Sequence, residues 1–218
     1  MPFFVEPRVS PVVVVAQHGG KNRVPGAAVR SRFAPADVGT WPLAEQCAQE
    51  LGASFLAMNL HRSHVDTNRG PQRCPFADGF EEVYLGFYIA LHQVVAQTME
   101  RFGHVFVLDV HGYGVSPGPE PYHAVLGTGN HSTCDESVSQ RFREILSRRW
   151  VQTVFSPDDS LGISSSLSGG HLVHELARVW RPHGLSAIQI EFARHLRESD
   201  ERSTTASVLA SAVRELVY

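Results

Sequence analysis

The feature that most limits the fold of this chain is an alternation of apolar runs with segments of helical periodicity. The apolar runs have strand character and lie at 12–17, 53–60, 104–110, 122–127, 151–155 and 185–191. Helical periodicity is found at 40–51, 80–102, 133–149, 170–180 and 203–217. Strands that alternate with helices predict an α/β fold in which a largely parallel sheet carries helices on both faces. We expect a single domain over residues 1–218, because a chain of this length with 43% hydrophobic residues can bury one substantial core.

Charge and composition favour a soluble protein with a small partner. The net charge is −3 with the 12 histidines neutral, so no excess of cations would attract nucleic acid or an anionic membrane. No apolar run reaches the roughly 18 residues of a membrane span, and the N-terminal "MPFFVEPRVSP" is too rich in proline for a signal peptide. The cysteines, Cys47, Cys74 and Cys134, have no paired spacing, which argues against a disulfide framework and a zinc ribbon. We therefore expect a cytoplasmic protein.

Two strands of the predicted sheet end in a histidine followed by glycine. His18 follows the valines of "VVVVAQHGG", and His111 ends the strand in "HVFVLDVHGYG". A carboxylate, Glu191, ends a third strand in "SAIQIEFARHL". The carboxyl ends of parallel strands share one crevice, so these side chains are expected to meet there. Two histidines and a carboxylate are typical protein ligands of a catalytic zinc ion, and the glycines would leave room for a substrate. The alternative is that each histidine caps its strand by a hydrogen bond to a loop.

The carboxylate that would complete a metal site has several candidates. They are Asp37, Glu45, Asp66 and Asp109. Asp109 alternates with His111 along one strand, so it faces the same side and could orient that histidine. Asp37 stands just before the helix predicted from Thr40, where the helix N-terminus stabilises a negative charge. The sequence favours Asp37.

The polar segment "NLHRSHVDTNRG", residues 59–70, has the groups needed to hold an anionic small molecule. Arg62 and Arg69 can each bind a carboxylate through two parallel hydrogen bonds, and Asn68 adds an amide donor. The alternative is a solvated loop in which Asp66 pairs with an arginine. Composition does not separate these two interpretations.

Glu191 follows a run of mainly apolar residues, which predicts reduced access to water. Burial raises the pKa of a carboxyl group, and a raised pKa suits a general base that activates water. An ion pair with Arg194 is the competing interpretation, and it would lower the pKa of Glu191 instead.

A second histidine cluster lies on the helix predicted at 170–180. His171, His174 and Glu175 fall within "SGGHLVHELARVW", but two histidines three residues apart differ from the i, i+4 pair of zinc proteases. We expect surface side chains here, with Gly169 and Gly170 shaping a substrate loop.

Nucleophilic catalysis and simple binding compete with the metal interpretation. Cys134 lies near His131, but at a predicted helix start that Ser132 or Thr133 is expected to cap. The serines of "SSSLSGG", at 164–170, lack the strand-to-helix turn of a hydrolase nucleophile. A non-catalytic protein that binds a small dicarboxylate through its arginines also stays open.

Four motifs, taken in order, resemble those of the N-formylglutamate amidohydrolase family, whose members are related to zinc carboxypeptidases. The motifs are "AQHGGKNRVP", "HRSHVDTNRGP", "LDVHGYG" and "AIQIEFARHLRE". The resemblance implies a zinc carboxypeptidase-like, three-layer α/β sandwich with a central mixed, largely parallel sheet flanked by helices. It also implies a zinc amidohydrolase that acts on a small anionic N-acyl amino acid similar to N-formylglutamate. A zinc carboxypeptidase-like peptidase is the nearest alternative.

The resemblance further implies roles for individual residues at a reaction centre. One Zn²⁺ per chain would be bound by His18, Asp37 and His111. Glu191 would be the catalytic carboxylate, and Arg62 would help to bind or polarise the substrate.

A clamp for the substrate carboxylate is implied at Asn68 and Arg69, with Arg194 as a further substrate-binding residue. The chain departs from the family pattern at Gly112, where members often carry serine, and at Gln17, before the first histidine. These departures bear on the identity of the substrate more than on the class of reaction.

Overall fold

A mixed seven-stranded sheet forms the centre of the computed structural model, which describes residues 1–24, 36–73, 79–114, 122–150, 152–156, 167–198 and 200–218. Its strands are β1 (Phe3–Glu6), β2 (Val12–Ala16), β3 (Ser54–Met58), β4 (Val105–Gly112), β5 (Ala124–Gly127), β6 (Thr153–Ser156) and β7 (Leu185–Phe192). They are ordered β1-β3-β2-β4-β7-β5-β6. The pairs β1 with β3 and β5 with β7 are antiparallel, whereas the other neighbours are parallel. The mixed, largely parallel sheet is therefore confirmed.

Helices cover both faces of this sheet. They are α1 (Thr40–Leu51), α2 (Glu81–Phe102), α3 (Glu136–Ser147), α4 (His171–Trp180), α5 (Arg194–Arg197) and α6 (Glu201–Val217), with a 3₁₀ turn at Arg181–His183. One apolar core joins α1, α3 and α6 to the sheet, and a second core joins α2 and α4 to the opposite face. The three-layer α/β sandwich is confirmed.

The valines of β2 show why this strand lies at the centre. Val12 and Val14 pack in the core with α1 and α6, while Val13 and Val15 pack in the core with α2 and α4. All four are fully buried. A strand covered on both faces needs a continuous apolar run, since neither side of it meets water.

The order in which the chain adds strands to the sheet reverses at β2. The chain passes from β2 to β3 on one side, and then returns to β4 on the other side of β2. The connections at the carboxyl ends of β2 and β4 therefore diverge, which opens a crevice between them. His18 lies two residues beyond β2, and His111 is the penultimate residue of β4, so both stand at this crevice.

Some elements differ from the sequence predictions. Strand β1, between Pro2 and Pro7, was not predicted, because a four-residue strand at the sheet edge leaves little pattern. The expected cap of α3 is wrong: Asp135 stands at the N-cap without a side-chain hydrogen bond, and the Thr133 hydroxyl donates to the carbonyl of Ala187.

Several predicted features lie outside the described residues: Cys74, residue 151 of the fifth predicted strand and residues 164–166 of the serine-rich segment. Within the described parts of the chain, no helix is both long enough and apolar enough to cross a membrane.

Candidate active site

His18, Asp37 and His111 come together in one buried cluster at the crevice. One potential ligand atom from each residue lies within 4.8 Å of the others. The Nδ1 atoms of His111 and His18 lie 3.2 Å and 3.5 Å from Asp37 Oδ2. The structure thus places Asp37, the carboxylate favoured from sequence, between the two strand-end histidines.

Backbone contacts explain how Asp37 reaches the histidines. The amide of Asp37 donates to the carbonyl of His18 at 2.9 Å, which brings the chain back to the end of β2. The Thr40 hydroxyl donates to the Asp37 carbonyl at 2.7 Å, which fixes Asp37 to the start of α1. The amide of Gly112 donates to Asp37 Oδ2 at 3.2 Å and ties the carboxylate to the end of β4.

The glycines after His18 serve close packing. A Cβ atom on Gly19 would meet Trp41 at the start of α1, and one on Gly20 would meet the backbone of Asn59 beyond β3. Both lack a left-handed φ. We predicted that these glycines leave room for a substrate, but the structure shows that close packing requires them instead.

Two carboxylates hold the outer nitrogens of the two histidines. His18 Nε2 lies 2.8 Å from Asp66 Oδ1, and His111 Nε2 lies 3.0 Å from Asp109 Oδ2. These two carboxylates anchor the Nε2 side of each ring, so the Nδ1 atoms are the nitrogens that face Asp37 Oδ2. Asp109 lies where the sequence predicted, and it also accepts a hydrogen bond from Gln17 at 2.7 Å.

The side chains present fit a zinc ion. His18 Nδ1 is buried and receives no hydrogen bond from any described residue. A buried polar atom without a hydrogen-bond partner destabilises the fold, which indicates that this nitrogen is placed to bind a ligand. Two imidazole nitrogens with anchored N–H groups, together with Asp37, make up a typical zinc donor set.

Burial and charge shift the pKa values of the acidic groups in opposite directions. Burial raises the pKa of Asp37, but the nearby His111 and His18 side chains and their positive charge outweigh burial and hold that pKa well below its usual range. The pKa of Asp66 is lowered in the same way, with His18 and Arg62 outweighing burial. Burial raises the pKa of Glu191 to about 7, since the positive charge of His111 only partly opposes it.

Glu191 lies beside the cluster on the neighbouring strand. Its register partner across β4 and β7 is His111, and its side chain is buried. Its Oε1 accepts a hydrogen bond from Gln189 Nε2 at 2.8 Å. The predicted burial and raised pKa of Glu191 are confirmed. Arg194 instead lies 3.8 Å from a carboxylate oxygen of Glu198.

The arginines after β3 are engaged by Asp66. Asp66 Oδ2 accepts from Arg62 Nη2 at 2.9 Å and from Arg69 Nε at 3.2 Å. Arg62 Nη1 also lies 3.6 Å from Asp37 Oδ1. The solvated-loop interpretation was therefore right that Asp66 pairs with an arginine, but Asp66 is buried and not solvated.

Asn68 is fixed from two sides. Its Nδ2 donates to Gln189 Oε1 at 3.2 Å, and its Oδ1 accepts from the amide of Leu172 at the start of α4 at 3.4 Å. The same Gln189 oxygen accepts from the amide of Gly170 at 2.7 Å. Gln189 therefore links Asn68 to Glu191.

A cavity of about 1040 Å³ collects the candidate residues. Every site residue predicted from sequence lines it: His18, Asp37, Arg62, Asn68, Arg69, His111, Glu191 and Arg194. Arginine side chains thus line the same cavity as the His18, Asp37 and His111 cluster, an arrangement that suits an anionic ligand.

The rival metal site does not form among the described residues. His171 and His174 line the cavity wall, whereas Glu175 pairs with Arg178 at 2.7 Å. His171 packs edge-on against Tyr88, with ring centroids 5.8 Å apart, so it is less exposed than expected of a surface residue.

The cysteine alternative has no catalytic pair. Burial raises the pKa of Cys134 to about 11, which disfavours the thiolate. His131, the expected partner, lies with its Nδ1 2.9 Å from the Ser139 hydroxyl.

Two residues of the site were missed by sequence reasoning. Gln189 alternates with Glu191 along β7, so a period of two could have identified it as facing the same side. Arg197 lies in the four-residue α5 and also lines the cavity, but a helix this short gives no periodicity from which to infer its direction.

Solved structures similar to this one indicate its fold. An N-formylglutamate amidohydrolase from Ralstonia eutropha JMP134 is 19% identical with a TM-score of 0.69, over 98% of this chain and 96% of that chain. A gene product of Agrobacterium tumefaciens is 17% identical with a TM-score of 0.69, over 99% and 96%. A proposed metallopeptidase from Shewanella amazonensis SB2B is 12% identical with a TM-score of 0.50, over 98% and 81%. At these identities the likeness establishes the fold alone.

Sequence similarity gives the family. No curated protein matches this chain. The sequence profile of N-formylglutamate amidohydrolase matches residues 76–197, which is more than half of the chain. The matched segment contains His111 and Glu191, while His18 and Asp37 precede it. The chain therefore belongs to the N-formylglutamate amidohydrolase family and is an amidohydrolase.

Proposed function

We propose that this amidohydrolase uses one zinc ion to hydrolyse the carbon–nitrogen amide bond of a small anionic N-acyl amino acid. The observation that carries the proposal is Glu191, a buried carboxyl group with a pKa of about 7 in the cavity that also contains the His18, Asp37 and His111 cluster. A base with a pKa near neutral can both accept and return a proton during hydrolysis. N-formylglutamate is the first substrate to test, because it gives the family its name.

The metal would activate the substrate and water, and the protein would transfer the proton. When bound by His18, Asp37 and His111, Zn²⁺ would supply a Lewis acid that polarises the amide carbonyl and acidifies water. Glu191 accepts a proton from water as the water oxygen bonds to the acyl carbon. Glu191 then delivers that proton to the amide nitrogen, the carbon–nitrogen bond breaks, and a carboxylic acid and an amine leave. Gln189 donates to Glu191 Oε1, which leaves Oε2 to carry the proton.

The cationic wall of the cavity would hold the substrate. The side chain of Arg69 is 51% exposed and is bonded to Asp66 through Nε, so its Nη atoms can take a substrate carboxylate. Asn68 and Arg194 line the same wall. Arg62, held by Asp66, would place positive charge near the oxyanion that forms on the carbonyl oxygen.

The test compares Glu191→Gln with Glu175→Gln, a control on α4 that pairs with Arg178. Amine release is measured from N-formylglutamate, N-acetylglutamate and a dipeptide with C-terminal glutamate, with zinc content measured on the same samples. We expect Glu191→Gln to keep its zinc and lose about 100- to 10,000-fold in kcat, whereas the control stays active.

Three results would contradict the proposal. Full activity of Glu191→Gln would remove Glu191 as the base. Cleavage of the dipeptide but not of the N-acyl amino acids would favour a zinc carboxypeptidase-like peptidase. Wild-type activity that a chelator does not reduce would remove the metal.

A further inference from the structure

We infer that Arg197 is a positioning residue whose single guanidinium holds together three segments of the chain, which carry two of the proposed metal ligands, Asp37 and His111, and the proposed general base, Glu191. Arg197 lies in α5 and is 4% exposed. Its Nε donates to the carbonyl of Phe192 at 3.2 Å, its Nη2 to the carbonyl of Tyr113 at 3.0 Å, and its Nη1 to the carbonyl of Val38. The inference rests on the proposed function of the site.

Each of these carbonyls lies next to a residue with a proposed role. Val38 directly follows Asp37, Phe192 directly follows Glu191, and Tyr113 lies two residues beyond His111. The loop before α1 and the ends of β4 and β7 are remote in sequence, so the three hydrogen bonds tie otherwise separate segments. The planar guanidinium suits this task, because its donors point in fixed and divergent directions.

The surrounding chain is shaped to admit this side chain. A Cβ atom on Gly112 would collide with the Arg197 guanidinium, and one on Gly39 would collide with the Arg197 carbonyl. Gly112 has no left-handed φ, so its backbone would admit a side chain, but only if the Arg197 guanidinium moved from its present position. This accounts for glycine where the resemblance led us to expect serine.

The arginine is held by backbone carbonyls and not by an ion pair. Among the described residues no carboxylate oxygen lies within 4.0 Å of its nitrogens. Removing a charge from water is costly unless hydrogen bonds replace the lost solvent, and here three carbonyls do so. Although Arg197 lines the cavity, each of its three nitrogens donates to a backbone carbonyl, so the guanidinium is fixed against these three segments of the chain.

The test uses Arg197→Ala and Arg197→Lys, with Arg214→Gln as the matched control. Arg214 donates from Nη2 to the carbonyl of Glu50 at 2.7 Å, on α6 and away from the cavity. Hydrogen exchange of the chelated proteins is followed in peptides that span residues 36–40, 112–114 and 191–193. We expect faster exchange in all three peptides in both Arg197 variants, and no change there in the control.

Zinc affinity and kinetics test the consequence for the site. For Arg197→Ala we expect about a 10- to 100-fold loss of zinc affinity and about a 100-fold loss in kcat, with KM little changed. Added guanidinium ion should restore part of both in Arg197→Ala but not in Arg197→Lys, whose amine keeps the space filled. Gly112→Ala should weaken zinc binding in the wild type and have no further effect in Arg197→Ala, because the colliding group is then absent.

The outcomes separate this inference from the proposed function. Unchanged exchange in the three peptides of Arg197→Lys, or an equal change in Arg214→Gln, would overturn the role of Arg197 whether or not the wild type binds zinc. Loss of zinc and kcat without rescue by guanidinium would also count against it. A wild type that binds no zinc, with the exchange result as expected, would overturn the proposed function and leave Arg197 as the element that joins the three loops.

Discussion

Replacing Glu191 by glutamine should stabilise the folded protein in a pH-dependent way. Burial raises the pKa of Glu191 from an ordinary value of 4.5 to about 7. The folded state therefore binds this proton more tightly than the unfolded state does. Losing the proton from buried Glu191 therefore destabilises the folded wild type. This destabilisation is absent below about pH 4.5, grows between about pH 4.5 and about pH 7, and reaches its full size above about pH 7. At 1.36 kcal/mol for each tenfold change in proton affinity, it amounts to about 3 kcal/mol.

Urea unfolding of the chelated protein at pH 5 and at pH 8.5 measures this difference. Glutamine has no charge to bury, and its carbonyl can still accept the hydrogen bond from Gln189. The free energy of unfolding of Glu191→Gln should exceed that of the wild type by about 3 kcal/mol at pH 8.5 and by less than about 1 kcal/mol at pH 5. Glu175→Gln is the control. Arg178 lowers the pKa of Glu175, so removing the Glu175 charge should not increase the free energy of unfolding at high pH. An equal difference at the two pH values would show that burial does not raise the pKa of Glu191.

Three further substitutions test other parts of the structure. Asp109→Asn removes the charged acceptor of the His111 Nε2–H group and should weaken zinc binding about 10- to 100-fold in a chelator competition; unchanged affinity would contradict its orienting role. Phe142→Ala empties a fully buried position on α3 and should cost about 3 to 5 kcal/mol of unfolding free energy in urea, and a loss below about 1 kcal/mol would show that the core there is loose. Arg69→Ala should raise KM for an anionic substrate roughly 10-fold with kcat nearly unchanged, and an equal effect on an uncharged analogue would exclude a carboxylate clamp.

The layers of the fold could be predicted because local patterns determine them. The boundaries predicted for α1, 40–51, match those observed, since a three-residue to four-residue apolar repeat and a closing glycine mark them. The run of valines in β2 indicated a strand buried on both faces. Edge strand β1 and the short α5 could not be predicted, because neither is long enough to show a period.

The convergence of His18, Asp37 and His111 could also be inferred from sequence. Parallel strands end at the same edge of a sheet, so two histidines at strand ends must lie near one another. The partner of His18 could not be inferred, because Asp66 reaches it from a loop 48 residues away. An arginine partner for Asp66 was foreseeable from the neighbouring residues, whereas only the fold shows that Asp66 also holds a histidine.

Arg197 shows most clearly what sequence alone leaves out. Its three acceptors are backbone carbonyls of residues 38, 113 and 192, and a carbonyl has the same chemistry whatever the residue type. No motif can therefore record such contacts. The sequence does contain a glycine at position 112, but its meaning depends on knowing which side chain fills the space beside it.

Zinc binding at the His18, Asp37 and His111 cluster is tested most directly by the zinc content of the wild type, of His18→Ala and of His104→Ala after reconstitution and removal of free metal. His104 is exposed, and its Nδ1 contacts only the Phe102 carbonyl among described residues, so it serves as the matched control. We expect about one zinc per chain in the wild type and in His104→Ala, and almost none in His18→Ala. No zinc in the wild type, or the same amount in His18→Ala, would contradict this expectation.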